Sequence, residues 1–481
     1  MTLLTSMQRL LTLLALAATA LAQPVPEAVA PTAAKPHAQP EQAERGLLHQ
    51  AIRAYMNRAP GTFGAHPAAA EFPGAVASAE RVERTVAYDP NRIHRWDVRA
   101  GNAPNLATGP ESWQDTGLYA APGEVVRVTA ETLPAGRTVH LVIGCHRDVL
   151  LRLDSWKRFP VITRSFELRA GENAVANAFG GTIFIQVKGE PAETSTATAS
   201  LRFANAVAAP MFTLGKDNAE SWSKSLASSP APWAVLAGRR VVLHVQSSAA
   251  AKVADPVALM TWWDRVLEVQ DDLVALDRKA PERIVPDVQI SAGWMHSGYP
   301  FMCHLQPSQG HLLDLQRLST KGDWGFFHEL GHNHQRRDWT FAGQTEVTVN
   351  FFSLLCMEKV VGLPFGQGHG SMKDLDALLR RRFGNPPDMG PFEQLAPFVA
   401  LIRAHTWEPL RQTLRSYKDA PSAEAGAKDA PAQQNLFVLR YGRFARSDVS
   451  AFFERMGYPV TAETKAALAA FPRFELPEPA R

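Results

Sequence analysis

A multidomain α+β architecture is the fold class this sequence predicts, and three features of its texture predict it. Between Trp113 and Ala206, short runs rich in Val, Ile, Thr and Phe are punctuated by Pro122-Gly123, Pro134 to Gly136, Ala170-Gly171 and Gly180-Gly181, the pattern of an N-terminal β-sandwich. From about Pro210, strand-like runs share the chain with long amphipathic helices, as in an α/β unit. Beyond Met372 the periodicity is mostly helical. At 481 residues, 46% hydrophobic and 20% charged, the chain can hold two to four ordinary globular domains. Its formal net charge is only +3, with no Lys/Arg cluster interleaved with aromatics; no nucleic-acid partner is expected.

Residues 1–22, MTLLTSMQRLLTLLALAATALA, carry one positive charge at Arg9, an apolar run from Leu10 to Leu21, and small residues at Ala20 and Ala22. They read as a signal peptide cleaved after Ala22, because the run is shorter than the ~20 residues a membrane span needs. A secreted or periplasmic protein with no membrane span is expected. Residues 23–44, rich in Ala, Pro and Gln, read as a flexible linker. Residues 45–110 are poorly defined apart from one short helix, GLLHQAIRAYM. The β-sandwich occupies 111–207, with strands in EVVRVTAE, TVHLVIGCH, PVITRSFEL, GTIFIQVKG and ASLRFANA.

The next unit spans 208–400. RRVVLHVQ reads as a strand, and Asp255-Pro256 places a cap and an N1 proline before a helix whose core face is Leu259, Trp263, Val266, Leu267, Leu273 and Val274. Strand-like RIVPDVQIS leads to GWMHSGYPFMCH. There Gly298 and Pro300 shape a turn. In a functional reading the same stretch binds substrate, Gly298 by backbone pairing and His296 or Tyr299 by donating to a developing oxyanion.

The next helix, capped by Asp323 and buried by Trp324, Phe326 and Phe327, carries His328-Glu329-Leu330-Gly331-His332, an H-E-x-x-H pattern. Residues four apart share a helix face, so His328 and His332 can present two ring nitrogens to one metal ion. Zinc suits them, and Glu329, one step round the helix, is angled to hold a metal-bound water instead. A catalytic zinc site takes three protein ligands, and Glu346, on the apolar helix GQTEVTVNFFSLLCMEKV, is the candidate third. Asn350 and Ser353 continue its polar stripe and are expected to support the ligands. His334 points about 200° away from His332 and is expected to support the site or the fold, not to bind metal.

The run FFHELGHNHQ, then Trp339, then TEVTVNFFS resembles the enhancin-like, mucin-degrading zinc metallopeptidases, peptidase family M-sixty, which belong to the gluzincins. The resemblance extends to WQDTGLYAAPGE, RFPVITRSFEL, NAFGGTIFI and the Gly298-Tyr299-Pro300 segment, covering roughly residues 110 to 460. It implies a thermolysin-like α/β plus helical catalytic domain, one zinc per chain on His328, His332 and Glu346, and Glu329 as acid/base. The implied substrate is a mucin-type glycoprotein.

MKDLDALLRRRFG, FEQLAPFVALIRAH, WEPLRQTLRSYK, NLFVLRYGRFA and SDVSAFFERMG are helical, the last capped by Ser447 and closed by Gly457. A polar loop at 419–434 interrupts them within a C-terminal helical region, 401–481. Cys303 and Cys356 flank the metal motif and are either disulfide-bonded or buried free thiols. The expected activity is a zinc endopeptidase, monomeric, with glycan contact. The alternatives are a glycan-binding protein with a vestigial zinc site and a zinc hydrolase of non-peptide substrates.

Overall fold

The computed structural model describes residues 26–76, 80–92, 112–189, 199–384 and 388–476, so the expected signal peptide lies outside the described residues. The N-terminal half contains β1 (His37–Ala38), the helix α1 (Gln42–Met56), β2 (Val82–Tyr88), β3 (Trp113–Ala120), β4 (Val126–Ala130), β5 (Thr138–Ile143), β6 (Ser155–Trp156), β7 (Arg164–Glu167), β8 (Gly171–Val175), β9 (Gly181–Lys188) and β10 (Ala199–Ala208). Eight of the strands form one sheet in the order β7-β5-β9-β3-β10-β4-β8, with β2 also on β10. The long β10 pairs with β4 through Arg202–Ala204 and with β3 through Val207 and Ala208, so it passes from one half of the sheet to the other. Leu118, Val128, Leu141, Ile185 and Phe203, from both halves, share one core.

Residues 26–44 depart from the flexible linker their composition predicts. β1 pairs antiparallel with β6, His37 stacks on Trp156 at 5.6 Å, and Gln39 donates to the Leu151 carbonyl at 2.8 Å. Next to it, α1 buries Leu48 and Ile52 in a cluster with Trp156, Phe159 and Phe179. The segment has few large side chains of its own and packs on those of its neighbour. Strand β3 is also unforeseen, because Gln114, Asp115, Thr116 and Gly117 hide its apolar alternation; Asp115 pairs with Arg283 of the second domain, while Gln114 and Thr116 bond to Asp89 and Ile183 within the N-terminal half.

That domain starts with β11 (Met211–Thr213), α2 (Ala219–Ser228), β12 (Trp233–Ala237), β13 (Val241–Gln246), α3 (Pro256–Val274), β14 (Glu282–Asp287), β15 (Met295–His296) and β16 (Phe301–His304). Its six-stranded sheet runs β11-β12-β13-β14-β16-β15, with β13, β14 and β16 parallel. As the Asp-Pro pair predicts, the Asp255 carboxylate accepts from the Ala258 N–H at 2.9 Å and Pro256 opens α3. Then come α4 (Trp324–His332), α5 (Thr345–Thr348) and α6 (Asn350–Lys359). Six more helices follow, α7 (Leu375–Phe383), α8 (Pro391–His405), α9 (Glu408–Asp419), α10 (Ala430–Ala445), α11 (Ser450–Arg455) and α12 (Ala462–Leu468). Leu243 and Phe301 of the sheet, Trp263 of α3, Phe326 of α4, Phe352 of α6 and Phe398 of α8 share one core. Each such side chain contributes about 1.5–3 kcal/mol by burial.

The cap of α11 differs from expectation. Asp448 Oδ1 accepts from the Ser450 N–H at 3.0 Å, while the Ser447 N–H closes α10 on the Gly442 carbonyl. Cys145, Cys303 and Cys356 are all free and buried, so Cys303 and Cys356 form no disulfide. Among the described residues no helix is long and apolar enough to cross a membrane.

Two buried ion pairs join the halves, and both end on β14. Arg158 of the N-terminal half meets Asp287 at 2.8 Å, and Arg283 of the second half meets Asp115 at 2.7 Å. The charges cross in opposite directions.

Candidate metal centre

Asp323 starts α4 by accepting from the Phe326 N–H, and Phe326, Phe327, Leu330 and Gly331 form its buried face. A side chain at Gly331 would meet Phe352 Cβ at 2.9 Å, so glycine there lets α4 and α6 approach to near backbone contact. That closeness brings Glu346 and Asn350 against His328 and His332.

His328 Nε2 and His332 Nε2 are 3.1 Å apart, and Glu346 Oε2 lies 3.0 Å from the first and 3.5 Å from the second. The hydrogen-bond partners fix the tautomers. The Trp324 indole N–H, which can only donate, reaches Asn350 Oδ1 at 3.1 Å, and Asn350 Nδ2 donates to the Glu346 carbonyl at 2.8 Å. The atom facing His328 Nδ1 at 2.9 Å is therefore an oxygen, and Nδ1 carries the proton. Gln335 repeats the device: its Nε2 donates to the Thr345 carbonyl at 2.7 Å, leaving Oε1 to accept from His332 Nδ1 at 2.7 Å. Both Nε2 atoms of the neutral rings then hold bare lone pairs aimed at each other and at a carboxylate. Three electron-rich atoms this close need a cation between them. Tetrahedral zinc with bonds of about 2.0–2.2 Å would space its ligands about 3.3 Å apart, which the three separations bracket. The residues fit the ion.

Hydrogen bonds from His328 and then His332 hold the Glu346 carboxyl well below the usual range. Burial pushes His332 down, but Glu346 and Gln335 more than offset it, leaving its pKa above the ordinary value. Glu329 also comes within ligand range of the two histidines. Its environment differs from that of Glu346: burial raises its pKa, against the opposing pull of His332, His328 and the Ser297 backbone. Glu346 touches both ring nitrogens, so of the two carboxylates it is the better placed as a third donor.

The sequence model of peptidase M60, enhancin and enhancin-like, matches residues 205–457, and that of the N-terminal domain of M60-like peptidases matches 79–199. The chain belongs to the M60 family. TRPM8 channel-associated factor 2 from Bos taurus is 35% identical over 393 residues, covering 79% of this chain and 41% of that protein. The M60 chain thus spans about two-fifths of the length of the curated relatives it matches. A functionally unknown conserved protein from Bacillus anthracis shares the fold with a TM-score of 0.65 at 21% identity, over 82% of this chain and 80% of that one. The M60 catalytic domain of ZmpC from Clostridium perfringens, solved with the sialyl T antigen, does so with a TM-score of 0.58 at 16% identity, over 82% and 80%.

The remaining residues singled out in the sequence of this M60 chain are placed less simply. Asn350 supports His328 as expected. Ser353 does not join it: its hydroxyl is buried without a hydrogen-bond partner, one turn too far along α6. His334 is fully engaged elsewhere, Nδ1 on the Leu330 carbonyl at 2.8 Å and Nε2 on Asp271 at 2.9 Å. Asp271 also pairs with Arg278, which pairs with Glu282, in a buried network behind α4. Tyr299 turns its hydroxyl into the seam between the halves: the buried oxygen accepts from Arg283 Nε at 2.7 Å and from the Trp113 N–H at 3.0 Å. The Gly298 backbone is not free for an extended peptide either, since Asn333 holds its N–H at 3.1 Å and its carbonyl at 3.3 Å. His296 lies near the centre but uses both ring nitrogens, on Asp148 and on the Ser297 carbonyl. Gln335, Asn333 and Asp148 were missed. Gln335 alone had a local signal, its spacing of three from His332.

Proposed function

We propose that this M60 chain is a secreted, zinc-dependent endopeptidase that hydrolyses peptide bonds in glycoproteins of O-glycosylated, mucin type. The observation that carries the reading is the convergence of two imidazole lone pairs and the Glu346 carboxylate, with the raised carboxyl of Glu329 beside them. His328, His332 and Glu346 would hold one zinc per chain. The ion, when bound, supplies Lewis acidity that brings the pKa of water toward ~7.

Glu329 takes a proton on a carboxylate oxygen from the attacking water and returns it to the leaving amine nitrogen. A pKa raised by burial suits a group that must both accept and release that proton near neutrality. Asn350 and Gln335 hold the two rings in the tautomer that keeps Nε2 unprotonated.

The catalytic half is read as thermolysin-like, an α/β part and a helical part with the centre between them, and the N-terminal half as a β-sandwich. Residues 1–22 support export. The sialyl T antigen bound by the M60 domain of ZmpC supports a substrate that carries sugar. A monomer is the simplest state for such an enzyme.

The relatives named as channel-associated factors raise a binding role without turnover, and one experiment separates the two. Purified residues 23–481 are incubated with an O-glycosylated mucin and with the same mucin stripped of glycans, each with and without a chelator. Chelator-sensitive cleavage confined to the glycosylated form is expected. No cleavage of either form by protein carrying one zinc per chain would leave the binding role.

A further inference from the structure

The connection between α4 and α5, residues 333–344, hangs on the C-terminal helical region. Arg336 Nη2 donates to the Tyr417 carbonyl at 3.1 Å, and Asp338 Oδ1 accepts from the Ser422 N–H at 2.6 Å. The third tie is made by the buried Tyr458, which follows α11. Its hydroxyl donates to Gln344 Oε1 at 2.8 Å and its ring meets Phe341 edge-on at 5.7 Å. Tyr458 thus grips both ends of the turn that the Gln344 N–H closes on the Phe341 carbonyl at 2.9 Å.

From Gln344 the hydrogen bonds run without a gap to the metal centre. Its carbonyl accepts from the Val347 and Thr348 N–H groups, each at 3.0 Å, and from Thr348 Oγ1 at 3.3 Å. That one carbonyl starts α5, the four-residue helix that carries Glu346. Thr348 Oγ1, whose only proton goes to Gln344, is still able to accept, and takes one from Gln335 Nε2 at 2.7 Å. Gln335 Oε1 then accepts from His332 Nδ1 at 2.7 Å. The path begins in the C-terminal region and ends on a ring whose other nitrogen faces His328 and Glu346.

We propose that Tyr458 is a positioning residue for the metal centre: its hydroxyl fixes Gln344 and, through Thr348 and Gln335, holds His332 with Nδ1 protonated and Nε2 bare. Its role rests on the proposed zinc site and is independent of the substrate. The alternative is a buried hydroxyl that Gln344 merely satisfies, and its loss would then be felt equally with or without Gln335.

The test measures zinc affinity, by competition with a chromogenic chelator, in the unmodified full chain, in Tyr458→Phe, in Gln335→Ala and in the double variant. Tyr458→Phe keeps the ring and its contacts with Phe341 and Phe453, so its melting temperature should stay within about 4 °C. Its zinc affinity should fall about three- to tenfold, less than on losing the direct support at Gln335. In the Gln335→Ala background the same change should cost less than about twofold, because members of one network do not add. In the metal-free chain at alkaline pH, the nitrogen-15 shifts of His332 should move from the Nδ1–H form toward the Nε2–H form. An affinity within about twofold of the unmodified chain overturns the proposal, and so do unchanged His332 shifts or an equal loss with and without Gln335. If Tyr458→Phe does not fold, Gln344→Met, which removes the acceptor and keeps the side-chain length, must show the same loss and the same dependence on Gln335 for the proposal to stand. If the unmodified chain takes up no zinc, the zinc reading fails, and the His332 shifts alone decide whether Tyr458 sets the ring.

Discussion

His332 and His334 stand two residues apart at the end of one helix and sit in opposite surroundings. One ring nitrogen of His332 is fixed by Gln335 and the other is left aimed at His328 and Glu346. Both nitrogens of His334 are taken up, and the Asp271–Arg278–Glu282 network around it is closed, with each charge facing an opposite one. A half-supported ring can serve a ligand; a fully supported one can only serve the fold. Residue type and burial do not separate the two, and the hydrogen-bond count does.

The sharpest way to break this contrast is at the proton carrier. Glu329→Gln keeps the metal donors and removes the base, so turnover of a mucin substrate should fall about 10²–10⁴-fold with zinc content, measured by atomic emission, unchanged. In the closed network, Arg278→Ala leaves Asp271 with Arg240 and His334 but takes the ion partner from the buried Glu282, and should cost about 3–5 kcal/mol in denaturant unfolding. Zinc affinity should move little beyond that loss. Gln335→Ala releases His332 Nδ1 and should weaken zinc binding about 10–100-fold by competition with a chromogenic chelator, leaving the fold intact. If Gln335→Ala and Arg278→Ala prove interchangeable in their effects, the division between open and closed histidines is wrong.

Acid should act on the open centre first. The Nε2 atoms must be unprotonated to bind metal, and His332 has a pKa above the ordinary value of 6.5 in the metal-free chain. Zinc affinity, measured by competition with a chelator, should thus weaken as pH falls, because protons compete for the same lone pairs. An affinity unchanged between pH 8 and pH 5 would contradict it. The smallest effect belongs to Ser353→Ala. Its hydroxyl is buried with no partner, so removing it should leave stability within about 1 kcal/mol or raise it slightly.

That His328, His332, Glu346 and Asn350 come together was legible because each pair is local. His328 and His332 lie four apart, and Glu346 and Asn350 repeat the interval on the next apolar helix, so helical spacing alone places them. The same spacing misled at Ser353, where a polar residue on the stripe turned out to have no partner at all. What could not be read was contact across the chain. Asp148 meets His296 over a separation of 148 residues, and Arg158 meets Asp287 over 129; no periodicity encodes such pairs. Tyr299 was assigned to the cleft for that reason, its true partners Arg283 and Trp113 being invisible in sequence. The β-rich texture was plain, yet β3 stayed hidden because its polar side chains answer to groups far along the chain, Gln114 to Asp89, Thr116 to Ile183 and Asp115 to Arg283 of the other domain.

Those answers travel both ways along β14. One half supplies an acid at Asp115 and a base at Arg158; the other supplies Arg283 and Asp287 in return. Replacing either half by one that lacks these two side chains would orphan a cation and an anion at once, even if the metal centre came across whole. For this chain the two domains are matched to each other charge by charge, and a cut at the Ala209–Pro210 junction between β10 and β11 would part both pairs at once.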